Sequence, residues 1–153
     1  MLRKLRRFYD TYLNAGSAVA QDPEQATRLA TAALLMEMAR MDESIVPDER
    51  RRVTRALQDF FQLSAAESAS LQELAEQVAQ EAASYHEFTA LLNKQFGQEQ
   101  KIKVIEYLWE VAYADDQLDK YEEHFVRKIA DLLHVAHKDF ITAKHRVLDR
   151  QYR

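Results

Sequence analysis

Four acidic residues stand out by type and spacing: Asp42, Glu49, Asp115 and Glu122. In each pair the Glu follows the Asp by seven residues, and the two pairs lie 73 positions apart. Carboxylates are hard oxygen donors, so a pair that converges on one point suits Ca²⁺, Mg²⁺ or Mn²⁺ rather than zinc. The same residues admit a second role. An Asp that turns forward from one helix end can accept N–H groups from the start of the next, and a Glu in a first turn completes a cap. Both readings stand at this stage. Neither corner is an EF-hand, whose loop takes about twelve residues with a glycine at the sixth. Here Ile45 or Leu118 falls midway round the corner and is placed to plug the core.

Each pair requires a helix, a corner and a second helix. Val104, Ile105, Leu108, Val111 and Ala112 recur at helical spacing, and Asp119 with Glu122 three residues on forms a capping box for the helix after them. The earlier stretch has the same pattern. Leu35, Glu37, Ala39, Asp42, Glu49 and Val53 recur as Leu108, Glu110, Ala112, Asp115, Glu122 and Val126, all in one register. That register implies an internal duplication. An Asp at a helix C-terminus opposes the macrodipole at roughly 0.3–1 kcal/mol, so both copies need something that offsets it.

The rest of the chain is built to position those corners. Two Gly and two Pro among 153 residues, with 47% hydrophobic residues, favour helices joined by short turns. Asp22-Pro23-Glu24-Gln25 starts a helix that runs to about Met41, with Leu29, Ala30, Ala33, Leu34, Met36, Met38 and Met41 inward. Pro47 opens the next, carrying Val53, Ala56, Leu57, Phe60 and Phe61. Ser64 with Glu67, and Ser84 with Glu87, read as capping boxes for two more helices. The first turns Leu71, Leu74 and Val78 inward; the second carries Phe88, Leu91, Leu92 and Phe96 and is closed by Gly97. A last helix begins near His137. The expected class is all-α, a single-domain bundle of about seven to eight helices with two pseudo-symmetric helix–corner–helix repeats.

Residues 1–14 read as a basic amphipathic helix, 15–23 as a linker and 24–150 as the helical domain. The first segment has a net charge of +3, leaving −7 on the remainder of a chain whose total is −4. An acidic body argues against nucleic acid as a partner. The basic segment is read first as a helix docked on the domain with its cations solvated. The alternative is weak peripheral contact of residues 2–13 with an anionic membrane surface. Without cysteine there is neither a disulfide nor a thiolate metal site. With no secretory core or spanning run, the cytoplasm is the expected location.

The run Leu-x-Glu-x-Ala-x-x-Asp, with Ile or Leu three residues on and Glu seven beyond the Asp, occurs twice and resembles the TerB-like family. That family is named for bacterial tellurite resistance and is related to a domain of a DnaJ-type co-chaperone. The resemblance spans about residues 24–146. It is closer still to a stand-alone proteobacterial branch through Leu29-Ala30-Thr31-Ala32-Ala33-Leu34-Leu35, Phe88-Thr89-x-x-Leu92-Asn93 and Leu108-Trp109-x-Val111-Ala112-Tyr113-Ala114-Asp115. It implies an all-helical fold, a link to stress response, and metal binding at the matching residues Asp42, Glu49, Asp115 and Glu122. Family members often carry Gly directly after the Asp, whereas Glu43 and Asp116 stand here. Asp tolerates a left-handed backbone better than Glu, so the second corner is the expected cation site.

Other candidates are weaker. His134 and His137 fall at a corner near Asp131 and Asp139 and read as solvated. Glu37 and Glu110 are expected to pair with Arg40, Arg52 or Lys128. Arg50, Arg51, Arg52 and Arg55 read as a solvated face, and Trp109 as core. No nucleophile or phosphate-cradling loop is encoded, so an enzyme is the least favoured class. The expected function is a non-enzymatic binding or stress-sensing module, with a divalent cation at the acidic corners and another protein as partner. The alternative is a structural protein–protein adaptor whose acidic corners are only caps.

Overall fold

A computed structural model describes residues 23–40, 47–81, 85–114 and 120–151. Among the described residues there are seven α-helices and no strand. They are α1 (Pro23–Ala39), α2 (Pro47–Phe61), α3 (Ala65–Glu81), α4 (His86–Gln95), α5 (Gln98–Ala112), α6 (Lys120–Leu132) and α7 (His137–Gln151). The all-helical class read from the sequence is the one that forms. The amphipathic segment 1–14, the linker up to residue 22, and Asp42, Ile45, Asp115, Leu118 and Asp119 lie outside the described residues.

Helix α1 is the centre of the bundle. Leu29, Ala30, Ala32, Ala33, Leu34, Leu35, Met36, Met38 and Ala39 are each at most 1% exposed. A helix apolar on every side must be surrounded, and α2, α3, α4, α5 and α6 all pack on it. Thr31 is buried within it without cost to the backbone, since its hydroxyl donates to the Thr27 carbonyl at 2.9 Å. Helix α3 lies closest along α1. Its inward side is Ser68, Gln72, Ala75, Val78 and Ala79, whereas Leu74, expected to point inward, is 39% exposed and Leu71 is only half-buried. Small side chains at 68, 75 and 79 let α3 approach the Ala-rich α1, where a Leu would hold the two axes apart.

The helix ends follow local chemistry, with one departure from expectation. Ser64 and Glu67 do form a reciprocal box, the Ser64 N–H donating to Glu67 Oε1 at 3.0 Å and the Glu67 N–H to Ser64 Oγ at 3.1 Å. Helix α4 opens after Tyr85, which makes no side-chain cap bond, and Ser84 of the expected Ser84–Glu87 box lies outside the described residues. Gly97 does not close α4. That helix ends at Gln95 with Phe96 extended, and Gly97 is the N-cap of α5, with φ −79° and its N–H donating to Gln100 Oε1 at 2.9 Å. The left-handed closures fall instead on Gln62 (φ 56°) and His134 (φ 60°). Each is followed by a bond back across the turn, Leu63 N–H to Gln58 O and Val135 N–H to Ala130 O. These are Schellman closures without glycine.

Candidate functional site

Glu49 and Glu122 each occupy the third position of a helix, in α2 and α6. Each is 1% exposed. Burying two carboxylates this completely costs several kcal/mol unless donors or a cation meet them. The first helical turn supplies part of the answer, because its N–H groups and the positive end of the macrodipole favour an anion there. Asp42 and Asp115, the proposed companions, lie outside the described residues. Thus two of the four site residues are placed, in matching positions and with matching burial. The donor chemistry fits a hard divalent cation. Two carboxylates supply only part of the six to eight oxygens that Ca²⁺ takes, leaving carbonyls or water to complete the shell.

The other positions of the proposed repeat also agree in burial. Leu35 and Leu108, Ala39 and Ala112, and Val53 and Val126 are each at most 1% exposed. Glu37 and Glu110 are both half-buried. Burial pushes both carboxyls above their ordinary range, against nearby guanidinium groups that pull them down. Their partners differ. Glu37 takes Arg40 Nη1 at 2.9 Å, as expected, with the Tyr85 hydroxyl at 3.4 Å. Glu110 takes Arg150 Nη2 at 2.7 Å rather than Arg52. Lys128 pairs with neither glutamate in these bonds; its ammonium lies over the Tyr85 ring.

The Arg150 contact belongs to a larger arrangement. The other arm of the guanidinium reaches Glu106 Oε1 at 2.7 Å, and Arg146 lies 3.7 Å from Glu106 Oε2. Glu106 is almost fully buried on α5. Burial, then the charges of Glu110, Asp59 and Glu106, push the neighbouring Tyr107 hydroxyl up to about 12. Arg150 was missed as a site residue in the sequence because it lies in a polar helix end, 40 positions from Glu110. A signal was present nonetheless. Glu106 and Glu110 are four apart on one helix, Arg146 and Arg150 four apart on another, and such stripes face each other when helices pack.

Between α2, α5 and α7 this network borders a cleft of about 270 Å³, lined by Arg52, Arg55, Asp59, Glu110, Val147 and Arg150. No residue pattern pointed to it, and Glu122 is not among its lining residues. The basic run on α2 therefore divides. Arg50 is held by Glu76 of α3 through two bonds of 3.1 Å, whereas Arg52 and Arg55 face the cleft.

Trp109 is fully buried as expected, its indole N–H donating to the Phe140 carbonyl at 3.2 Å. His134 and His137 are exposed at the α6–α7 turn. Among the described residues no three His, Asp or Glu side chains converge to hold a metal. No helix among them is long and apolar enough to cross a membrane.

A bundle wrapped round one buried helix, with glutamates sunk into two helix starts, is what the comparisons place in a known class. The family model described as tellurite resistance protein TerB matches residues 28–145. That is most of the chain, and the protein belongs to the TerB family. No curated protein and no solved structure matches it.

Proposed function

We propose that this TerB domain is a non-enzymatic binding or stress-sensing module whose second corner, Asp115 with Glu122, holds a divalent cation of the Ca²⁺, Mg²⁺ or Mn²⁺ type. The first corner, Asp42 with Glu49, is the poorer copy, because Glu43 stands where a left-handed residue is wanted. One observation carries the reading: a glutamate 1% exposed in the first turn of α6, matched by one equally buried in α2. A carboxylate removed from water in this way is primed for a cation that brings both charge and a tight coordination shell. The name of the family supports a role in stress response.

Thermal melts of the full chain, chelated and with each ion at millimolar excess, test it. A ligand at a hundred times its dissociation constant, binding the folded state alone, stabilises by about 2.7 kcal/mol. For a domain of this size that raises Tm by about 5–10 °C. Asp115→Asn should abolish the rise and Asp42→Asn should reduce it less. Helix capping predicts otherwise: coincident chelated and metal-loaded curves, with a metal-independent loss of about 1 kcal/mol in both variants. That result would leave the adaptor reading in place.

A further inference from the structure

A second recess opens on the same side of α2. It measures about 570 Å³ and is lined by Arg51, Arg52, Thr54, Arg55, Gln58 and, from the end of α5, Ala114. Three guanidinium groups line it, and no carboxylate is among the described lining residues. Arg52 and Arg55 also line the cleft described above, so they form the wall between the two.

The arginines on this side of the molecule are not equivalent. Arg50 grips Glu76 with both arms, and Arg150 grips Glu106 and Glu110. Arg52 and Arg55 close no ion pair and donate no hydrogen bond among the described residues. Arg52 is half-buried nonetheless, its charge near Glu110 but not bonded to it. At i and i+3 on α2 the two side chains leave the helix on one face, about 5–6 Å apart at Cβ. Two planar forks on one face match the oxygens of a tetrahedral oxyanion, which can accept paired N–H bonds from each. The Gln58 amide, one turn on from Arg55, adds a neutral donor at the rim.

We propose that this recess is an anion-binding site for a phosphate dianion, free or as the phosphoryl group of a small monoester, with Arg52 and Arg55 as its principal ligands. The volume is that of a small-molecule cleft, which falls at roughly 300–1,000 Å³. A long polyanion is disfavoured, because the chain as a whole is acidic, at −4, and phosphate backbones need an extended basic surface. Among the described residues neither Glu49 nor Glu122 lines the recess, and phosphate binding there needs no cation at the corners.

The test is a titration of the full chain in chelator, so that a failure at the corners cannot affect it. Inorganic phosphate and glycerol phosphate are the probes, and potassium chloride at matched ionic strength is the control. Phosphate should raise Tm saturably while chloride does not. Arg52→Gln with Arg55→Gln should weaken binding about tenfold or more. Arg127→Gln removes one charge from the exposed face of α6, as Arg55→Gln alone does at the recess, and should leave binding unchanged. Arg55→Lys keeps the charge but loses the fork, so a several-fold weakening is expected from a substitution at an exposed position that should not disturb folding. A monoester bound as tightly as phosphate makes a phosphorylated metabolite the ligand, and one bound far more weakly makes it the free ion. An unsaturable response, or equal losses from Arg127→Gln and Arg55→Gln, would overturn the site.

Discussion

In α1, Glu37 meets Arg40 just past the end of its own helix, with Tyr85 at the start of α4 beyond it. In α5 the corresponding Glu110 reaches across to Arg150 of α7, which also holds Glu106. The two hairpins, α1 with α2 and α5 with α6, share residue type and burial at the described positions of the repeat, yet these glutamates have unlike company. The cause is position in the bundle. Helix α1 is covered over most of its surface, and the carboxylate near its end meets a local cation, Arg40 three residues on. Helix α5 has α7 against one flank, and the space where α2, α5 and α7 fail to close is the cleft. Identical residues at these matching positions thus share burial, while the neighbours set chemistry.

Three measurements would break or sharpen this contrast. The largest effect should come from Leu35→Ala and Leu108→Ala, each removing a side chain at most 1% exposed. Each should cost about 2–5 kcal/mol by denaturant unfolding. If the hairpins are equivalent in packing, the two losses should agree to about 1 kcal/mol, within the spread that local relaxation allows. A much cheaper Leu108→Ala would mean that the second hairpin is the looser one. Superposing residues 35–57 on 108–130 in a structure that defines both corners would test the duplication directly.

Next in size are the arginines. Arg150→Ala takes the 2.7 Å partner from both Glu106, whose side chain is 6% exposed, and Glu110, leaving Arg146 at 3.7 Å from Glu106. Because Arg150 is itself half-exposed, solvent screens part of that loss, and about 1 kcal/mol is expected. Arg40→Ala removes a single i, i+3 pair and should cost about 0.3–0.5 kcal/mol. Equal costs would erase the distinction between the two glutamates.

The smallest effect is in pH dependence. Burial raises the Glu110 carboxyl above 4.5, against Arg150 and Arg52. A carboxyl raised on folding holds its proton more tightly in the folded chain. Its contribution is therefore fully present below the unfolded pKa and is lost as pH rises through the folded value. Glu110→Gln removes that loss, so the variant should gain on the wild type as pH rises from about 4 to neutrality. Glu37→Gln should behave alike, since burial also leads the causes at Glu37. A difference that shrinks with rising pH would show the ion pair, not burial, to be in control.

Much of this fold was readable in advance, because helical periodicity and the Ser64–Glu67 box are local. Glu49 and Glu122 were picked out by spacing alone, and both prove buried at helix starts. What was not readable depends on where helices meet. The burial of α1 on every side could not be told from two apolar stripes, and the outward turn of Leu74 follows from how closely α3 approaches α1. Gly97 was assigned to the wrong helix because one residue separates a closing turn from an opening cap. The Glu110–Arg150 contact and the division of the α2 arginines needed the crossing of α2, α5 and α7, which no window of sequence contains.

The central place of α1 also bears on how the chain is made. It is the first of the described helices in chain order, and a helix apolar over most of its surface has little to show to water. Its last residue, Ala39, precedes the end of α5 at Ala112 by 73 positions. At a synthesis rate of about 5–20 residues per second, α1 must wait roughly 4–15 s for that part of its covering to emerge. During that interval its alanines, leucines and methionines are open to any apolar surface nearby. A nascent chain arrested before α3, the helix that lies closest along α1, should therefore be the form most strongly held by chaperones, and the form most prone to aggregate when they are scarce.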